Sequence, residues 1–314
     1  MRKIVLTAII AFGLPGLLQA ATYKEMFGRD PAVSEADTKI LLSLDFKTTP
    51  LDLPSANAKL LAPKNFYYLN GPDAAKVLVN LWGNPPQSAE GILGMIFPAG
   101  KSPEDGSGWG STVFYAAEGY VSDSDAESAD YDSLLTQLKE ETTASNPARI
   151  TAGYEPITLV GWASAPHYDK QQHALHWARD LLFGNDKTAA HTLNYQLRAL
   201  GREGVIELNF IAGMNQLDEI KAAIPEVIGL VDYDKDKKYE EFKDGDRVAA
   251  YGLAGLIAAA AGTKLAAKVG FLALAAIFFK KGAVVVLVAV AAAGRWISRL
   301  FGRKPKLPPS DGAA

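Results

Sequence analysis

From Val248 to Lys306 the chain carries no acidic residue, and an Ala/Val/Leu/Gly body closes on a basic cluster. Backbone amides find no water inside a bilayer, so an apolar run of this length is stable there only as helix. The run is therefore read as membrane-seeking, and everything upstream as the domain it tethers. Its end has a stop-transfer pattern: Arg295, Arg299, Arg303 and Lys304, with Trp296 at the interface and Pro305 just beyond. Lys264, Lys268 and the pair Lys280–Lys281 cut the run into pieces, each shorter than the roughly 20 residues a crossing helix needs. A lysine held at mid-bilayer costs about 3 kcal/mol. The crossing is thus expected near 282–301, with Arg295 and Arg299 reaching the cytoplasmic headgroups. The piece before Lys264 becomes a second helix, interfacial or paired, where Gly255 and Ala259 permit close approach. The number of spans stays open.

The opposite end, MRKIVLTAIIAFGLPGLLQAA, joins a basic start to a short apolar core and small residues at Ala20–Ala21. That is the pattern of a cleaved export signal. Charge is segregated to match. Residues 21–247 hold 34 Asp/Glu against 21 Lys/Arg, whereas 248–314 hold nine Lys/Arg against one acid. Positive charge after the last apolar run places the tail in the cytoplasm. The expected layout is a signal peptide at 1–20, an exported domain at 21–247, a membrane segment at 248–304 and a cytoplasmic tail at 305–314. In a Gram-negative cell this puts the domain in the periplasm, on the inner membrane. The lipid bilayer is then one partner. An acidic domain repels nucleic acid, which is excluded as a ligand. The sequence has no cysteine, so disulfides, thiolate nucleophiles and Cys-based zinc sites are ruled out.

Within the exported part, residues 45–65 hold Pro50, Pro54 and Pro63 and read as an arm with one or two edge strands. NFYYL reads as a strand, followed by a helix over DAAKVLVNLW capped by Asn70 or Gly71 and stopped by Gly83. GILGMIFP and STVFYAAEGYV read as strands around a loop. The acidic run Asp123 to Asp132 lacks the glycine and terminal glutamate of a calcium-binding EF-hand loop. It is assigned to the N-terminus of the amphipathic helix SLLTQLKEET. Four strands follow: EPITLVGWAS, HALHWARDLLF, HTLNYQLRALG and GVIELNFIAG. The last two alternate apolar and polar residues and so bury one face, the antiparallel signature. With Gly201–Gly204 as the loop, Leu200 faces Val205, Arg198 faces Glu207 and Tyr195 faces Phe210. A slip of one residue would turn the apolar set outward. A helix with Asn215 as its cap and Pro225 as its kink or break closes the domain, and DKDKKYEEFKDGDR reads as a charged linker to the membrane. The fold class is α+β: an antiparallel sheet with packed helices, followed by one or more C-terminal membrane helices.

GYVSDSDA, GWASAPHYD with HALHW, LNYQLRALGREG and YEEFKDGDRVAAYGL occur in this order. Together they resemble the bacterial membrane-anchored proteins of domain-of-unknown-function family 2167, over roughly residues 60–265. The resemblance implies a signal peptide, a periplasmic α+β domain and a C-terminal membrane segment. It implies no activity.

No nucleophile elbow, HExxH, P-loop or dinucleotide fingerprint occurs, and no cofactor is expected. Arg198, Arg202 and Glu203 are candidates for an anion- or carboxylate-binding corner or, alternatively, for cross-strand and loop ion pairs that fix the hairpin. Asn194, Trp162 and Asp169 complete the candidate binding or structural motif, with Trp162 and Trp177 most simply core aromatics. Residues His167, Asp169, His173 and His176 could hold zinc without cysteine, but His173 and His176 fall on opposite faces if their run is a strand. The leading reading is a tethered module that binds an envelope partner or senses the state of the envelope. The alternative is a metal-dependent hydrolase.

Overall fold

The computed structural model describes residues 21–260. It divides into two compact units, one over 21–121 and 131–248, the other over 122–130 and 249–260.

The first unit is α+β. Its strands are β1 (Leu51–Leu53), β2 (Ala58–Leu60), β3 (Phe66–Asn70), β4 (Gly94–Pro98), β5 (Gly110–Ala116), β6 (Ile157–Asp169), β7 (Ala174–Phe183), β8 (Thr192–Leu200), β9 (Val205–Gly213) and β10 (Val231–Tyr233). Seven form one sheet in the order β3-β4-β5-β9-β8-β7-β6, and β1-β2-β10 form a second. Every pairing is antiparallel. The β8–β9 register matches the expected one throughout, including Leu200↔Val205, Arg198↔Glu207 and Tyr195↔Phe210. Apolar burial sets it: Tyr195, Leu197, Leu208 and Phe210 all lie in one core cluster.

The helices are α1 (Tyr23–Phe27), α2 (Glu35–Leu42), α3 (Gly71–Ala75), α4 (Tyr131–Thr151), α5 (Leu217–Leu230) and α6 (Leu253–Ala260). Ile220, Ile224 and Val227 of α5 join the large cluster, together with the small sheet. On the opposite face, Tyr67, Leu69, Met95 and Phe97 pack with Tyr23, Leu41, Ala74 and Val77. The Asn70 side chain accepts from Asp73 N at 2.9 Å and caps α3, which continues as a π-helix over Lys76–Leu81.

Several expectations change. The arm at 45–65 supplies β1 and β2; β2 pairs with β10 and leaves β1 as an edge strand, as expected, but of a separate small sheet. Helix α4 runs well past SLLTQLKEET, with Pro147 inside it. Asn215 does not cap α5; a short 3-10 turn over Met214–Gln216 precedes the helix, and Gln216 Oε1 accepts from Gly213 N. Pro225 does not divide α5, because it sits on the exposed side, where water can take the carbonyl it leaves unbonded. The one-face rule also fails for β8. Gln196 and Arg198, expected on an exposed face, are both buried.

The segment expected to be a charged linker is folded. Tyr239 is buried and its hydroxyl donates to Val121 O at 2.9 Å. Arg202 N donates to Lys237 O at 2.9 Å, so the segment is bonded to the tip of the β8–β9 hairpin.

In the second unit the acidic run has a role that spacing did not show. The Asp125 carboxylate accepts from Leu253 N at 3.0 Å and Ala254 N at 3.2 Å, capping α6. Only Asp132 lies in the first turn of α4. Among the described residues no helix is long and apolar enough to cross a membrane. The crossing expected near 282–301 and the signal at 1–20 lie outside the described residues.

Candidate functional site

The antiparallel register places Asn194, Gln196 and Arg198 on one face of β8, with Arg179 and Trp177 beside them on β7 and Asn209 and Glu207 on β9. Trp162 faces Arg179 from β6. This polar ladder crosses four strands. Arg198, 1% exposed, donates from Nη1 to Asn209 Oδ1 and to Leu197 O at 3.0 Å each. Its Nε lies 3.3 Å from Glu207 Oε1, and its guanidinium sits 5.3 Å from the Trp177 ring centroid. Arg179 donates to Asn194 Oδ1 at 2.8 Å. Burial, and then the neighbouring Arg198 charge, lowers the Arg179 pKa to about 10. Two guanidiniums are thus held in the sheet largely by neutral amides and an indole face, which fit a planar, weakly hydrated cation better than an ammonium.

Arg202 and Glu203 do not join this ladder. At the hairpin tip Arg202 forms a bidentate pair with Asp246, 2.7 Å on each arm, and donates to Asp236 O at 3.0 Å. Hydrogen bonding to Arg202 holds the Asp246 carboxyl down at about 2. Glu203 pairs with Lys237 at 2.6 Å. The corner is therefore an ion-paired clasp, whose partners come from residues 234–246 rather than from across the strands. Asp169 is separate again: its Oδ1 accepts from Gln171 N and Gln172 N and shapes the β6–β7 turn. The Trp162 indole donates to Tyr131 O at 3.3 Å and ties β6 to the start of α4.

The strand period does not apply to His173, because β7 begins at Ala174. His173 sits in the turn at φ 48, its ring tilted against that of Tyr239 at 4.4 Å between centroids. His176, within β7, has its Nδ1 2.8 Å from the Tyr195 hydroxyl, and its ring lies 5.2 Å from that of His167. Burial, with a smaller push from His167, depresses the His176 pKa to about 4. His191 pairs with Asp180 at 2.8 Å. Among the described residues no three His, Asp or Glu side chains converge as a metal site.

A cleft of about 620 Å³ was not visible in the sequence. Trp82, Phe97, Glu104, Asp105, Trp109 and Asp37 lie in its wall. The Glu104 side chain is 9% exposed. One of its oxygens, Oε1, accepts from the Tyr23 phenol and lies 3.3 Å from Arg29 Nη1. The other, Oε2, is buried and has no hydrogen-bond partner among the described residues. Burial, and then the bond to Glu104, pushes the Tyr23 pKa up to about 12. A separation of 81 residues between Tyr23 and Glu104 leaves no local signal that could have paired them.

Comparison with known proteins adds a family and little more. A family model described as "Protein of unknown function (DUF2167)" matches residues 45–291. No curated protein matches. The solution structure of cyanobacterial PsbP from Synechocystis sp. PCC 6803 is similar at a TM-score of 0.32 and 12% identity, covering 66% of this chain and 98% of that one.

Proposed function

The chain belongs to the DUF2167 family of unknown function, and on that footing we propose that it is a non-catalytic binding or scaffold module of the bacterial envelope. In this reading it is exported by its N-terminal segment and held at the inner membrane by the stretch beginning at Val248. One observation carries the scaffold part. The residues just before that stretch are clasped to the β8–β9 hairpin tip by the Arg202–Asp246 pair and to the segment after β5 by Tyr120 N donating to Arg247 O at 2.8 Å. A bidentate arginine–carboxylate pair fixes direction as well as distance. The domain thus does not hang on a loose linker; its last residues before the acid-free stretch are part of its fold. Charge segregation supports the orientation.

Phosphatase and fluorescent-protein fusions at Gly245 and Ala314 test the layout. Phosphatase activity at Gly245 with fluorescence at Ala314 is expected. Phosphatase activity at Ala314 means an even number of spans and overturns the single crossing. Co-purification from native membranes then tests for a partner. An isolated protein with no partner, in a strain where its deletion leaves the envelope unchanged, counts against the scaffold reading.

A further inference from the structure

We infer that the Glu104 cleft binds a primary ammonium group carried on an apolar or aromatic body. The inference rests on reading the domain as a binding module and names its ligand class. The volume of about 620 Å³ falls in the range of small-molecule sites. Three acidic residues line it, Asp37, Glu104 and Asp105. Arg29 is engaged with two of them, Glu104 at 3.3 Å and Asp105 at 3.4 Å, and His191 in the wall is committed to Asp180. The local charge is negative, which favours cations and rejects anions.

The buried oxygen of Glu104 decides which cation. Glu104 Oε1 already serves the Tyr23 phenol and Arg29. Oε2 is left without a donor among the described residues, and a buried acceptor of this kind gains most from a new hydrogen bond. A single oxygen offers a monodentate contact. That suits the point charge of an ammonium, whereas a guanidinium fork seeks both oxygens of a carboxylate. Trp82 is half-buried in the same wall and its indole is oriented by donation to Pro103 O at 2.9 Å. It presents a ring to the ligand's body and a π face to the cation.

The test titrates benzylammonium and its neutral isostere benzyl alcohol into the full-length protein in detergent, read by ligand-observed NMR. Benzylammonium is expected to bind at least tenfold more tightly. Glu104→Gln, which keeps an acceptor for Tyr23, should abolish that preference at an unchanged melting temperature. Equal binding of both probes, binding of neither, or an undiminished preference in Glu104→Gln overturns the inference. Should Glu104→Gln fail to fold, Trp82→Leu decides. It leaves the carboxylate in place and is expected to weaken benzylammonium at least threefold, and an unchanged affinity overturns the proposal. The fusion experiment is independent of these results, so a misplaced membrane topology and an empty cleft are distinguishable outcomes.

Discussion

Arg198 and Arg202 lie four residues apart in one hairpin, yet they are held in opposite ways. Arg198 is sealed in the sheet, over the Trp177 ring and among amides, with Glu207 at 3.3 Å. Arg202 stands at the tip in a two-armed pair with Asp246. The first arginine has lost its water, so its partners are essential to its being there. The second competes with solvent and serves mainly to hold a distant segment in place. Position in the sheet, and not residue type, decides whether a charge is structural ballast or a clasp.

The sharpest way to break this contrast is to delete the buried side. Arg198→Ala is expected to cost about 3–5 kcal/mol, since it leaves Glu207 and the amides unpartnered and opens a void beside Trp177. Chemical denaturation measures it. Arg198→Met combined with Glu207→Gln should recover part of the loss, because a well-packed apolar isostere needs no counter-charge. A loss under 1 kcal/mol for Arg198→Ala would mean the ladder is less desolvated than its burial indicates.

Next in size is the tip itself. A Cβ at Gly204 would run into Ala116 O and the Tyr115 hydroxyl, and backbone cannot step aside as a flexible side chain can. Gly204→Ala should cost about 1–3 kcal/mol and weaken the clasp along with the hairpin. A neutral outcome in thermal melts would show that the tip is looser than its contacts imply.

His176, on the sheet face opposite Arg198, extends the same desolvation argument to pH. The folded state binds its proton more weakly than the unfolded chain. The resulting stability is therefore complete above the ordinary value of 6.5 and is lost as pH falls toward about 4. After discounting for partial exposure, the loss is roughly 1–2 kcal/mol. His176→Asn, which can still bond the Tyr195 hydroxyl, should flatten this limb of a stability–pH curve measured between pH 7 and 4.5. An unaltered acid limb in the variant would assign the loss to other groups.

The smallest global effect belongs to the clasp. Arg202→Ala should leave the sheet's melting temperature nearly unchanged while speeding proteolysis and hydrogen exchange within residues 234–247. Cooperative loss of the whole domain would instead make the clasp part of the core and erase the contrast with Arg198.

Much of this was legible beforehand where the signal is local. The β8–β9 register followed from side-chain alternation and a four-residue loop, since a one-residue slip would expose Leu197 and Leu208. The cap of α3 followed from Asn70, one of the two residues the sequence offered for it. Family membership followed from four ordered motifs. The candidate residues Asn194 and Arg198 do share a face, as their even spacing requires. Periodicity, capping and turn chemistry act within a few residues, so the sequence by itself determines elements and their pairing in hairpins.

Only the tertiary structure decided what depends on chain segments far apart. Alternation marks Gln196 and Arg198 as the polar face of β8 but not that this face is buried. Nothing near Arg202 predicts Asp246, nothing near Asp125 predicts the α6 amides, and nothing near Tyr23 predicts Glu104. A charged run such as DKDKKYEEFKDGDR has the composition of a linker. It becomes folded structure because Arg202, Glu203 and Val121 meet it in space. Burial, ion pairing and clefts are properties of juxtaposition, and juxtaposition of distant segments is set by how the whole core closes.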